Sequence, residues 1–207
     1  SSSDTDTDLT GLELDRTRYG FLQRYTSKGG TGLRLGYERS EVTNRVSGNK
    51  DATSASDRKD ITDLLRVGLN RAFDDHSITF DANINNVDID DSRDRNRTSF
   101  SMLRHTYRPG PALSSEDMLS YNLNDVRQGN SQFENGLYQL NSYAFWRPQA
   151  NRDLRVNASL RALMRNNDTE SSSTTAYSIT PVLGATYQWG PRWVFNGGVG
   201  GTGIDTE

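Results

Sequence analysis

Apolar and polar residues alternate strictly along several stretches of the chain. Over residues 153–165 one phase carries Leu154, Val156, Ala158, Leu160, Ala162 and Met164, and the other Arg155, Asn157, Ser159, Arg161, Leu163 and Arg165. A helix would scatter the first set around its circumference, whereas a strand puts all six on one face. Residues 77–85 set Ile78, Phe80, Ala82 and Ile84 against Thr79, Asp81 and Asn83. Over 176–189 the apolar phase is Tyr177, Ile179, Pro181, Leu183, Ala185, Tyr187 and Trp189, and shorter runs occur at Leu33, Leu35, Tyr37 and at Leu65, Val67, Leu69. In 132–146 the phase Tyr138, Leu140, Ala144, Trp146 is taken as apolar, with Gln139 and Asn141 opposite. The least clear phase belongs to 12–25. A period of two held for a dozen residues excludes a disordered chain.

Tight-turn signals recur near 26–30, 74–77, 108–111, 147–152 and 190–192, built from Gly, Pro, Asp and Asn. An aromatic residue closes the strand entering each turn: Tyr25, Phe73, Tyr107, Trp146 and Trp189, with Trp193 opening the strand after the last. Between these turns lie polar connections over 41–59, 88–96, 127–131 and 166–175. The pattern predicts ten antiparallel strands, over 11–25, 30–41, 60–74, 77–87, 97–108, 113–126, 132–146, 153–165, 175–189 and 193–204. They form one unit of five hairpins with every short turn at one end. Most of these strands match or exceed the roughly 9–11 residues of a tilted membrane strand and exceed the usual soluble length of about 5–6.

Composition narrows the choice. The 207 residues are 32% hydrophobic and 25% charged, contain no cysteine and carry a formal charge of -3. No run of about 18 apolar residues exists, so helical membrane spans are excluded. Absence of cysteine removes disulfides, thiolate metal sites and cysteine nucleophiles. The slightly acidic balance offers no electrostatic reason to expect nucleic acid. A polar soluble β protein and a transmembrane barrel with a wet interior both remain.

Long alternating strands, aromatic residues at one end, and short turns opposite polar loops resemble the bacterial outer-membrane β-barrels. The resemblance covers nearly the whole chain. It implies an all-β, antiparallel, up-and-down transmembrane barrel in the outer membrane, with short turns toward the periplasm and long loops outside. Residues 1–10 read as a loop and the chain closes on Asp205-Thr-Glu207, whereas such barrels keep their termini in the periplasm and finish on an aromatic residue. An internal segment of a larger barrel is therefore expected, in preference to a closed ten-stranded one. The arginine-bearing wall is similar to porins associated with exopolysaccharide secretion, and barrels that sheath electron-transfer cytochromes look alike at this level.

A charge on a lipid face costs about 2–4 kcal/mol for Arg or Lys near the midplane, so arginine-bearing phases are assigned to the lumen. That places Arg34, Arg66, Asp81, Arg104, Arg155, Arg161 and Arg165 on the pore wall, with Glu38 a further counter-charge. Fixed guanidinium groups favour anions. The competing reading is that they pair with acids across strands and fill the wall. Tyr25, Phe73, Tyr107, Trp146, Trp189 and Trp193 are assigned to an interfacial girdle rather than to sugar-stacking platforms.

Acidic clusters at Asp4, Asp6, Asp8 and at Asp88, Asp90, Asp91 lack the glycine and glutamate of a calcium loop and read as solvated loop acids. His76 is read as a turn residue and His105 as a lipid-exposed or interfacial one. Neither meets the nucleophile–base–orienter requirement of a hydrolase, and Gly197–Gly201 has no helix to follow it. No enzyme activity, cofactor or metal site is expected. The expected partners are outer-membrane lipid and lipopolysaccharide, together with a small hydrophilic solute or a polysaccharide. The expected function is a channel, against a plugged structural or adhesive barrel and a soluble β-rich fibre or carbohydrate-binding protein.

Overall fold

The computed structural model describes residues 11–47, 58–89, 94–151 and 153–206. The chain runs up and down as β1 (Gly11–Thr26), β2 (Thr31–Ser47), β3 (Arg58–Phe73), β4 (His76–Ile89), β5 (Arg95–Gly110), β6 (Leu113–Gln128), β7 (Ser131–Trp146), β8 (Leu154–Thr169), β9 (Ser172–Trp189), β10 (Trp193–Gly200) and β11 (Gly203–Thr206). Each strand pairs antiparallel with its sequence neighbours in the order β1 to β10, and β11 continues the last strand along β9. The sheet is open, since β1 and β10 do not pair with each other, as in a partial barrel. Among the described residues there is no helix.

The break before β11 falls at Gly201-Thr202, at the end of the glycine run. A Cβ on Gly198 would lie 3.1 Å from the Leu183 carbonyl oxygen, so the run permits the close approach of β10 to β9.

One row of directly opposed residues crosses the sheet: Tyr25, Leu33, Leu69, Phe80, Leu103, Leu119, Leu140, Ala162 and Ile179. Every member is apolar, so the two-residue alternation of all nine strands is in phase. At β1 the row meets the turn side of the sheet at Tyr25; at β9 it lies ten residues away from Trp189. That stagger accumulates over eight strand-to-strand steps. With about 3.3 Å per residue and about 4.8 Å per step, the strands lean about 40° from the normal to the line of turns. This is the inclination that closed barrels require, roughly 35–45°.

No second layer covers the sheet. Among the described residues no hydrophobic side chain is buried, and large apolar groups such as Leu33, Leu103, Leu119, Ile179 and Leu183 are exposed. Nearly all of this exposed apolar surface lies on the face that carries the row above. Leu22, Phe133, Tyr143, Val182, Val194 and Ile204 are the exceptions.

Three expected features are corrected. The polar segments 127–131 and 166–175 are not extended loops, because β6 runs to Gln128 and β7 starts at Ser131, while β8 runs to Thr169 and β9 starts at Ser172. Gly129, at φ 60°, makes the first of these turns tight. At the second, the Thr169 hydroxyl accepts from the Ser172 amide at 3.1 Å and Asp168 accepts from the Ser173 hydroxyl. Polar residues continue a strand as well as apolar ones do, since the ladder bonds belong to the backbone. The turn near 108–111 contracts to Pro111-Ala112, with a register shift between Tyr107 and Gly110. His76 is the first residue of β4 and pairs with Phe73; the turn itself is Asp74-Asp75, with Asp74 at φ 48°. The loop acids Asp4, Asp6, Asp8, Asp90 and Asp91 lie outside the described residues.

Candidate functional site

The face opposite the apolar row is rich in Arg, Asn, Thr and Ser. Arg34, Arg66, Asp81, Arg104, Arg155, Arg161 and Arg165 all belong to it, as the register of β2 to β9 requires. The way these groups are partnered differs across the sheet.

Arg18, Arg34 and Arg104 meet acids. Arg34, Gly68 and Asp81 stand in one row on β2, β3 and β4. The Arg34 guanidinium reaches over the intervening strand and donates from Nη2 to Asp81 Oδ1 at 2.8 Å. Gly68 makes this possible: a Cβ there would lie 3.1 Å from Asp81 Oδ1 and 3.2 Å from Arg34 Nε. Arg18 donates to Glu38 between β1 and β2, and Arg104 lies 3.5 Å from Glu116 between β5 and β6. Arg24, Arg34, Asn70, Thr79 and Asp81 border a shallow cavity of about 330 Å³ on this face.

Among the described residues, Arg66, Arg155, Arg161 and Arg165 form no ion pair within 4.0 Å. Their directly opposed neighbours are neutral: Gly36 and Asn83 for Arg66, Thr186 for Arg155, Asn141 and Thr180 for Arg161, Leu137 and Ala176 for Arg165. Arg161 lines a cavity of about 440 Å³ with Glu116, Asn141, Tyr143 and Ser159. Amides add neutral hydrogen-bonding capacity. Asn135 donates to Asn167 and Gln139 donates to Asn141 at 3.0 Å, while Asn141 Nδ2 and Asn124 Oδ1 are buried without a partner. The face thus offers neutral hydrogen-bonding groups together with guanidinium groups that have no acid within 4.0 Å among the described residues.

The apolar face is bounded on both sides. Tyr25, Phe73, Tyr107, Trp146, Trp189 and Trp193 all lie on it at the turn side, and Trp189 and Trp193 are directly opposed. A second aromatic boundary, which the sequence reading missed, comprises Tyr19, Phe21, Tyr37, Tyr121, Tyr138 and Tyr177, with Tyr121 and Tyr138 in contact at 4.5 Å between ring centroids. Trp146 and Tyr138 are eight residues apart on β7, and Trp189 and Tyr177 twelve apart on β9. At the inclination above, these intervals span about 20 and 30 Å along the normal to the line of turns.

Beyond the second boundary the same face turns charged within one row: Arg39, Asp63, Asn86, Arg97, Asp125, Glu134 and Asp168 are successive partners on β2 to β8. There Tyr37 donates to Asp63 at 2.6 Å, Arg39 and Lys59 meet Glu41 at 3.1 and 2.9 Å, and Arg95 lies 3.5 Å from Asp88.

His105 lies on the apolar face beside the turn-side aromatic boundary, and its ring contacts that of His76. The two are 29 residues apart in the chain, so no local spacing signalled their contact. Among the described residues, no group of three or more His, Asp or Glu side chains is placed to hold a metal ion together. No family model, curated protein or solved structure matches this chain.

Proposed function

We propose that the chain is a segment of a bacterial outer-membrane β-barrel, with the apolar face toward lipid and the arginine-bearing face lining a channel for hydrophilic, preferentially anionic solutes. The observation that carries this reading is the uncovered apolar face of an inclined sheet, bordered by aromatic residues on both sides. A single sheet has no interior in which to hide these side chains, so something apolar has to cover them. Lipid suits the spacing, because the apolar band of an outer-membrane barrel is about 25 Å tall and flanked by two aromatic girdles. The charged row beyond the second girdle then meets headgroups and water. Further strands along the open edges of β1 and β10 would close the wall.

On the other face, unpaired Arg66, Arg155, Arg161 and Arg165 bias the permeant charge. The chemistry is passive, with polar groups replacing hydration and guanidinium forks attracting carboxylate, phosphate or sulfate groups. A plugged scaffold would instead pack its plug on groups such as Leu137, Phe145 and Leu163, which are among the apolar intrusions on the polar face of β7 and β8.

Detergent partition and heat-modifiable electrophoretic mobility test the membrane assignment, and a chain that purifies as a detergent-free monomer overturns it. Planar-bilayer recordings under a KCl gradient test the channel. Conductance with an anion-directed reversal potential is expected. Absence of conductance supports the plugged scaffold, and a cation-directed potential defeats the arginine argument.

A further inference from the structure

The chain has two histidines, and the fold brings both to one spot. His76 opens β4 and His105 lies on β5, two pairs along the ladder from the directly opposed His76 and Tyr107 and on the same face. The Nδ1 atom of His76 and the Nε2 atom of His105 are 2.9 Å apart. The Nδ1 atom of His105 lies 3.5 Å from Asp117 Oδ2 on β6, its direct cross-strand partner. The His76 ring stacks on both Phe73 and Tyr107, at 5.4 and 4.5 Å between centroids. Four strands therefore hold the two rings in place, and neither imidazole is fully enclosed.

We propose that His76 and His105 bind a single divalent transition-metal ion, of the copper or nickel class, on the turn side of the apolar face. A hydrogen on His105 Nδ1, directed at the Asp117 carboxylate 3.5 Å away, fits the metal-free arrangement. That leaves the Nε2 lone pair facing His76, whose Nδ1 hydrogen fills the gap. An ion replaces that shared proton once the rings turn to aim both lone pairs at it. Two nitrogen atoms 2.9 Å apart, each about 2.0 Å from an ion, subtend about 90° at it.

That is the angle between adjacent ligands in the tetragonal geometry of Cu(II) and Ni(II), and Cu(II) stands highest among divalent ions for such ligands. Asp117 does not ligate, since it faces the other nitrogen of His105. It plays the orienting part that carboxylates play behind metal-bound imidazoles, where their loss weakens binding roughly 10–100-fold. The open side lies at the turn-side aromatic boundary beside Tyr107, where interfacial water completes the coordination. The site depends on the register of β3 to β6 and is independent of the transport reading.

The test uses the full chain in detergent and Cu(II) alone as the probe, with equilibrium binding and electron paramagnetic resonance as readouts. One ion per chain is expected, with hyperfine splitting from two equatorial nitrogen nuclei. His76→Ala and His105→Ala should each weaken binding at least tenfold and leave one nitrogen. Asp117→Asn should weaken it about tenfold while keeping two. In the unmodified chain, Cu(II) should slow diethyl pyrocarbonate modification of both histidines together, a readout that needs no variant to fold. Absence of binding at micromolar Cu(II), a signal that survives the double variant His76→Ala/His105→Ala, or protection of one histidine alone overturns the site.

Discussion

Two sectors of the polar face use the same residue differently. Around β2 to β4, Arg34 is matched to Asp81 through the gap left by Gly68. On β8, Arg155, Arg161 and Arg165 recur on the same face with neutral neighbours on β7 and β9. An arginine that meets a carboxylate at one strand's remove adds little field, because the pair is nearly neutral at a distance. An arginine flanked by Thr, Asn and Ala keeps its whole charge for whatever passes. Facing direction comes from the alternation of one strand, while net potential comes from the neighbours across the sheet.

The largest effect should come from moving a β8 charge by one residue. Leu160→Arg places a guanidinium on the apolar face beside Arg161, and near the bilayer midplane this should cost about 2–4 kcal/mol of stability in lipid. Thr180→Arg, on the polar face next to Arg161, should change stability by well under 1 kcal/mol, near the usual bound for exposed substitutions. Urea unfolding in vesicles distinguishes the two, and equal costs would break the assignment of faces.

Next in size is the field itself. Replacing Arg155, Arg161 and Arg165 together by Glu should turn an anion-directed reversal potential into a cation-directed one. Replacing Arg34 and Asp81 together by Ala should leave its sign unchanged. If the Arg34/Asp81 variant moves the potential as far as the β8 variant, the distinction between the sectors fails.

The smallest effects belong to the matched pair. Gly68→Val should push the Arg34 and Asp81 side chains apart, because a Cβ already falls 3.1–3.2 Å from both. The two groups are half and one-third exposed, so losing their attraction should cost at most about 1 kcal/mol. Arg34→Ala should cost no more, and a double-mutant cycle of Arg34 with Asp81, run with and without the Gly68→Val substitution, measures the coupling. A coupling that persists in the Gly68→Val background would show that the glycine gap is not what admits the pair.

Much of the fold was legible along the chain. The phases read for 77–85, 132–146, 153–165 and 176–189 are the faces found, down to Gln139 and Asn141 lying opposite Tyr138 and Leu140. The seven pore-wall candidates share one face, and the six turn-side aromatic residues share the other. Strand ends were less legible. Ser, Asn and Asp at 127–131 and 166–175 look like loop, yet the backbone ladder extends through most of them and leaves two-residue turns. The second aromatic boundary was missed because its members lie in mid-strand, where no turn marks them. The His76–His105 contact was invisible, since alternation says which face a residue takes and nothing of which residue on the next strand it meets.

By itself, the sequence determined period, phase and the neighbourhood of five turns, because each rests on forces within a few residues: backbone pleat, glycine and proline stereochemistry, and the separation of apolar from polar side chains. Only the tertiary structure decided register, and with it the inclination of the strands, the gap over Gly68, the unpaired arginines of β8 and the meeting of the two histidines. Register is set by hydrogen bonds and side-chain contacts between segments far apart in the chain, and a shift of two residues would preserve every face while changing every partner.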